Sequence, residues 1–361
     1  MSDWGDGGAD SGPHEDWGQQ WAHQEDGHEQ AETVDVSDQA EEQAPLEQPE
    51  PQHRDWGPEY GHDQGFHGDG DQSIPPVGDP AGDGPVGSEE GPAEEAASPF
   101  RRDLPRVMAI ANQKGGVGKT TTAVNLGAAL AELGYRVLVV DLDPQGNATT
   151  GLGINARNLE TSVYDVIMRE LPVEDCVEPT SLRNLFVCPA TIDLAGAEIE
   201  LVPVFSRELR LRKALEPVLE DFDFVLIDCP PSLGLLTING LAAASEVVVP
   251  IQCEYYALEG LGQLLRNVNL VQSALNPRLE LGSIILTMFD ARTNLAEQVA
   301  DEVRNHFGDK VCRNIVPRTV RLSEAPSFGQ PIIVFDPSSR GAIAYRELAK
   351  EVSGGAPQRI G

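Results

Sequence analysis

No run of about 18 apolar residues occurs anywhere in the 361-residue chain, and its first residues are acidic where a secretory leader carries positive charge before an apolar stretch. A helical membrane span and a signal peptide are therefore not expected, and the sequence predicts a cytoplasmic protein. Cysteine is sparse. The five present (Cys176, Cys188, Cys229, Cys253 and Cys312) are odd in number and form no Cys-x-x-Cys pair, which argues against a disulfide framework and for reduced, buried thiols. Basic residues all but vanish from the first hundred positions, where Arg54 alone faces 26 Asp and Glu, so this third carries most of the formal charge of −32. It also holds all four tryptophans and six of the seven histidines, and it is rich in Gly, Pro and Gln. Such a composition cannot bury enough apolar surface to offset its ordering entropy.

Residues 1–100 are accordingly expected to be a disordered acidic low-complexity tail, and residues 101–361 the ordered domain. The tail repels DNA and acidic membranes, so nucleic-acid binding must reside elsewhere. The tripeptide Asp-Trp-Gly starts at Asp3, Asp16 and Asp55. It reads either as a repeated docking motif for a polar-protein partner, with Trp as anchor, or as drift in a low-complexity sequence. The histidines show no fixed ligand spacing for a metal.

After residue 100 the charges nearly balance and hydrophobic periodicity begins. The strand-like run Arg106–Ala111 leads into Lys114-Gly-Gly-Val-Gly-Lys-Thr-Thr-Thr122, followed by apolar residues at helical spacing up to Leu133. Strand, glycine loop and helix form a phosphate-binding unit, because the N–H groups of the loop and the helix N-terminus point at an anion. Gly115, Gly116, Val117, Gly118, Lys119, Thr120 and Thr121 are the expected nucleotide-binding residues. The general pattern wants glycine at 113, where this chain has Gln113, and a second lysine, Lys114, opens the loop.

Further strands are predicted at Arg136–Val140, Asn184–Pro189, Asp223–Ile227, Glu246–Ile251, Leu281–Thr287 and Val311–Ile315. Helices are predicted at Val163–Arg169, Leu194–Leu219, about Leu258–Val268, Leu295–Phe307 and Gly341–Val352. Alternation of strand and helix with near-continuous apolar strands predicts one α/β domain, a doubly wound, mostly parallel sheet with helices on both faces. Two strands end on carboxylates, in Asp141-Leu-Asp143-Pro and in Asp228-Cys-Pro-Pro, and ligands bind at that edge of open α/β sheets. Lys119 is expected on the β/γ-phosphates, Thr120 on a Mg²⁺ and Asp228 on the same metal through water. Asp143 would orient the attacking water, with Asp141 nearer the metal. The other reading for one of these two aspartates is that it caps a turn.

Lys-Gly-Gly-Val-Gly-Lys-Thr-Thr, Asp-Leu-Asp-Pro-Gln-Gly-Asn and Leu-Ile-Asp-Cys-Pro-Pro-Ser together resemble the deviant Walker A ATPases, most closely the Soj-like ParA chromosome-partitioning ATPases. The likeness continues through 252–260, 287–294 and 320–326, and it covers about residues 105–353. It implies that ATP is held between two subunits, with Lys114 reaching the nucleotide of the other subunit, and that Gly115 lies where the subunits approach closely. It implies a dimer that binds DNA nonspecifically through Arg292 and Arg321, and hydrolysis of ATP stimulated by a ParB-type partner. Nucleoid association, and movement of chromosomes or plasmids, would follow. Composition alone shows no basic patch there, since Lys/Arg and Asp/Glu nearly balance between Asp290 and Arg346.

Three rivals share features of this pattern. The membrane-cycling division-site ATPase MinD has the same nucleotide motifs, but its C-terminal amphipathic anchor has no counterpart here, so stable membrane binding is not expected. Nitrogenase-type iron–sulfur reductases need two bridging cysteines, for which Cys229 and Cys253 are the only suggestion. A GTPase would carry Asn-Lys-x-Asp, which does not occur.

Overall fold

The computed structural model of the chain describes residue 100, residues 102–254 and residues 257–355. The expected acidic tail up to residue 99 and its Asp-Trp-Gly tripeptides lie outside the described residues. In chain order the elements are β1 (Arg106–Ile110), α1 (Lys119–Glu132), β2 (Val137–Asp141), α2 (Asn147–Gly151), α3 (Val163–Arg169), β3 (Glu178–Pro179), β4 (Leu185–Cys188), α4 (Leu194–Glu200) and α5 (Arg210–Leu215). There follow β5 (Phe224–Asp228), α6 (Leu235–Ala243), β6 (Glu246–Gln252), α7 (Ala257–Ala274), β7 (Glu280–Thr287), α8 (Asn294–Phe307), α9 (Val320–Glu324), α10 (Ile332–Phe335) and α11 (Arg340–Ser353).

All seven described strands join one sheet in the order β3-β4-β2-β5-β1-β6-β7, parallel except for β3, which runs antiparallel at one edge. The strands are apolar on both faces because both faces are covered. Val107 and Ala109 point into one core layer, and Met108 and Ile110 into the other, as side chains alternate along β1. Helices α1 and α11 cover the second layer with Leu126, Leu130, Tyr345 and Leu348, and helices α3 and α5–α8 contribute to the first. Each such buried Leu stabilises by about 1.5–3 kcal/mol.

Register positions the chemistry. Asp228 lies beside Ile110 on one side and Asp141 on the other, so the carboxyl ends of β1, β5 and β2 stand side by side.

A buried ion pair ties the amino-terminal ends of the strands together. Arg106 Nε and Nη2 donate to Glu246 Oε1 and Oε2, both at 2.7 Å, and Nη1 donates to the Val352 carbonyl at 2.5 Å. This joins β1 to β6 and to the end of α11.

Four local expectations differ from the structure. The single helix Leu194–Leu219 is divided into α4, 3₁₀ turns and α5, since Pro203 lacks an amide proton and Ser206 adopts a left-handed φ of 53°. Helix α6 was not expected because most of its side chains, Leu236 to Ala242, are buried, which leaves no amphipathic stripe to read. Helix α2, five residues long, is likewise absent from the expected helices. The segment Val311–Ile315 forms no strand and contributes only a parallel bridge from Val311 to Ile284.

Candidate nucleotide site

The loop after β1 is fixed before it curls. Asn112 Nδ2 donates to the Pro250 carbonyl at 2.8 Å, and its Oδ1 accepts the Lys114 amide at 3.0 Å, which pins the loop entry to β6. Gly116 and Gly118 take left-handed φ of 75° and 88°, a conformation open to glycine and strained for other residues. Thr287 at the end of β7 donates its hydroxyl to the Val117 carbonyl at 2.8 Å and closes the loop from the other side. Gly118 then caps α1, with no side chain satisfying the first amides of the helix. Those amides are the donors that an anion at a helix N-terminus accepts. A Cβ at Gly115 would meet nothing within 4 Å in its own subunit.

Lys119 is buried and its Nζ donates to the Lys114 carbonyl at 3.2 Å. Burial lowers its pKa, while Asp228 and Asp143 pull it back up. Thr120 and Thr121 face a groove of about 420 Å³ bounded by Val124, Asn147 and Gln330.

The three carboxylates differ in their partners. Asp141 is fully buried; its Oδ2 accepts the Thr149 amide at 2.8 Å and hydroxyl at 2.7 Å, and its Oδ1 accepts the Asp143 amide at 3.2 Å. Burial raises its pKa to about 6 against the restraint of those bonds, with the Asp143 charge adding to the rise. Asp143 is buried and accepts the Gln145 amide at 3.0 Å on Oδ1. Asp228 is fully buried, and neither of its oxygens has a hydrogen-bond partner of ordinary geometry. Burial and then the Asp141 charge raise its pKa well above the carboxylate range, while the neighbouring Thr120 hydroxyl and Lys119 oppose the rise.

A buried carboxylate with both oxygens free is strongly unfavourable without a cation or donor to meet it. Mg²⁺ at nucleotide sites takes one or two protein oxygens and completes its octahedron with phosphates and water. Thr120 and Asp228 supply such oxygens, and the described residues contain no group of three or more His, Cys, Asp or Glu that could cage a metal without phosphates. The donor set therefore fits Mg²⁺ bound together with a phosphate ligand. Asp141, whose oxygens already accept three hydrogen bonds, is tied to Thr149 of α2.

The remaining residues singled out in the sequence lie around or apart from this centre. Lys114 Nζ is exposed and paired with Glu254 Oε2 at 2.8 Å. Arg292, between β7 and α8, is clamped to Asp290 by Nε to Oδ1 at 2.8 Å and Nη2 to Oδ2 at 2.6 Å. Hydrogen bonds from Arg292, and after them its charge, hold the Asp290 pKa down at about 2. Arg321 on α9 pairs with Glu324 at 3.1 Å and Asp336 at 3.4 Å. The two segments are tied by backbone bonds of Phe289 to Val316 and of Arg318 to Phe289. Sequence reasoning gave no role to Asn112, Thr149, Glu254 and Thr287, although 254 and 287 fall in stretches of the family likeness; their partners Pro250, Asp141, Lys114 and Val117 lie 138, 8, 140 and 170 residues away, and the fold alone pairs them.

Comparison with known proteins adds an independent line. Residues 105–281 match a family described as an AAA domain. The chain is 61% identical over 248 residues to "Sporulation initiation inhibitor protein Soj" of Bacillus subtilis (strain 168), covering 69% of this chain and 98% of that protein. It is 55% identical over 247 residues to "Chromosome partitioning protein ParA" of Myxococcus xanthus (strain DK1622), covering 68% and 87% of the two. Among solved structures, Cobyrinic Acid a,c-diamide synthase from Mycobacterium smegmatis with bound ATP analog and magnesium superposes with a TM-score of 0.60 at 44% identity, over 68% of this chain and 93% of that one.

Proposed function

The chain belongs to the ParA/Soj family of chromosome-partitioning ATPases, and from that premise we propose that it encloses Mg²⁺-ATP between two subunits, binds DNA without sequence preference in that form, and partitions chromosomes or plasmids with a ParB-type partner. The observation that carries the nucleotide part is Asp228, a fully buried carboxylate with two unpartnered oxygens beside Thr120 and Lys119 at the mouth of a glycine loop. Thr120 and Asp228 are the residues that would hold the metal, with Asp141 behind them tied to Thr149. When bound, Mg²⁺ neutralises charge on the phosphate oxygens. The loop amides from Gly115 to Thr121 bind phosphate, Lys119 holds the β/γ-phosphates, and Asp143 orients the attacking water.

Lys114 acts in trans on the phosphates of the opposite nucleotide, as an arginine finger does. Two features are in keeping with this. Lys119 already supplies the cation in cis, and the loop at Gly115 is open within its own subunit, which leaves room for the close approach of a second subunit that the family likeness implies. Arg292 and Arg321 contact DNA phosphates, and the ParB-type partner, itself bound to DNA, stimulates hydrolysis and returns the protein to the monomer. A protein working in this way is cytoplasmic and associated with the nucleoid. Against the membrane-cycling alternative, α11 spends its apolar face on α1, with Ala342, Tyr345, Leu348, Ala349 and Val352 all buried.

Size-exclusion and DNA-binding measurements with no nucleotide, ADP and ATP test the reading. A dimer and DNA binding are expected with ATP alone. The double variant Arg292→Glu/Arg321→Glu should bind ATP normally and lose DNA binding; undiminished DNA binding by it would remove both arginines from the interface.

A further inference from the structure

We propose that Glu254 is a positioning residue that holds Lys114 within its own subunit and so sets the threshold for ATP-driven dimerisation. The inference rests on the trans role of Lys114 proposed above and names the group with which that lysine must part.

Glu254 follows β6, directly after a strand that carries the loop-pinning Pro250. Its Oε2 accepts Lys114 Nζ at 2.8 Å, and its Oε1 accepts Gln252 Nε2 at 2.5 Å, so the last residue of β6 steadies the carboxylate while it receives the lysine. The Lys114 carbonyl is occupied too, by Lys119 Nζ at 3.2 Å. Both lysines of the loop are thus satisfied by oxygens of one subunit, Lys119 by a carbonyl and Lys114 by a carboxylate.

A carboxylate offers an ammonium what a phosphate offers it, two anionic oxygens as acceptors. Lys114 cannot be fully engaged by both. Closing two subunits around nucleotide must exchange Glu254 for phosphate twice, once per subunit. Both partners are about half exposed, with side-chain exposures of 41% and 48%, so the pair is weak enough to be exchanged. Glu254 therefore opposes dimerisation mildly and reversibly. That is suited to a switch that should close at full nucleotide occupancy and stay open otherwise.

The test is analytical ultracentrifugation of the full chain with saturating ATP and Mg²⁺, comparing wild type, Glu254→Gln, Glu254→Asp, Lys114→Ala and Lys114→Ala/Glu254→Gln. Glu254→Gln is expected to lower the protein concentration at half-dimerisation about three- to tenfold, the effect of releasing two exposed ion pairs. Glu254→Asp, which keeps the charge, should return toward the wild-type midpoint. The shift should shrink as salt rises from about 0.1 M to 1 M. Removing the carboxylate in the Lys114→Ala background should change nothing. A Glu254→Gln midpoint at or above that of wild type, or a shift that persists in the absence of Lys114, would overturn the proposal while leaving the trans lysine intact. Wild-type dimerisation by Lys114→Ala would instead sink the trans role, and this proposal with it.

Discussion

Asp141 and Asp228 are register partners on neighbouring strands, and both are buried at the carboxyl edge of the sheet. Close carboxylates out of water resist ionising together, so their protonation belongs to the pair. The folded state binds protons more tightly than the unfolded chain, where an aspartate titrates near 3.8 and Asp141 in the fold at about 6. The sign follows from linkage. The contribution of Asp141 is fully present below about pH 4 and is lost as pH rises through 6, and Asp228, raised well above the carboxylate range, extends the loss to higher pH. Without nucleotide or Mg²⁺, the melting temperature should therefore rise as pH is lowered from 7 toward 5, which differential scanning calorimetry can follow. Asp228→Asn, a neutral mimic of the protonated acid, should be more stable than wild type at pH 7 and should weaken Mg²⁺-nucleotide binding. A destabilised Asp228→Asn at pH 7 would contradict this account. If Asp143 orients the attacking water as proposed, Asp143→Ala should slow phosphate release by about 10²-fold or more and leave the proposed ATP dimer on DNA. Release from DNA by Asp143→Ala at the wild-type rate would refute its role.

At the scale of elements, the pinning of β1 to β6 and α11 is a separate matter from the chemistry. Arg106 and Glu246 are almost fully buried, and deletion of either partner strands the other charge out of water. Glu246→Ala should lose about 3–5 kcal/mol of stability by urea denaturation. Arg106→Met/Glu246→Leu should lose markedly less, because a matched apolar pair leaves no charge behind. Helix α7 was readable because apolar residues recur along it at helical spacing, and α1 because the glycine loop announces it, although its residues 122–131 are buried all round. Helix α6 was not, since it is covered on most sides and its Asn239 is engaged, accepting from Leu211 and donating to Arg207 and Leu235. The role of α2 escaped the sequence for a different reason. Thr149 matters only because the turn after β2 brings it back over Asp141 and lets it also accept the Ala190 amide at 2.9 Å.

Over the whole molecule, the formal charge of −32 should disfavour DNA, so the DNA binding proposed above would have to be concentrated at Arg292 and Arg321. The affinity of the ATP form for DNA should fall steeply and linearly with salt on logarithmic axes. The slope should flatten in the single variants Arg292→Ala and Arg321→Ala, which fluorescence anisotropy can read. Among the described residues no helix is long and apolar enough to cross a membrane, and the apolar face of α11 is already buried. In liposome flotation with ATP the protein is expected to stay in the dense fraction; co-flotation with anionic vesicles would favour the MinD-like cycle.

What the sequence by itself determined is what depends on neighbours along the chain: the glycine loop between strand and helix, the carboxylates closing β2 and β5, and the parallel sheet implied by continuous apolar strands. Only the tertiary structure decided which of those carboxylates is left unsatisfied. It alone broke the helix predicted over 194–219, buried α6, and set Lys114 against a glutamate 140 residues away. The physical reason is that periodicity and turn chemistry are local, whereas the satisfaction of a buried polar group and the pairing of an exposed charge depend on which strands lie side by side. Here that order places β5 between β1 and β2, with β6 on the other side of β1.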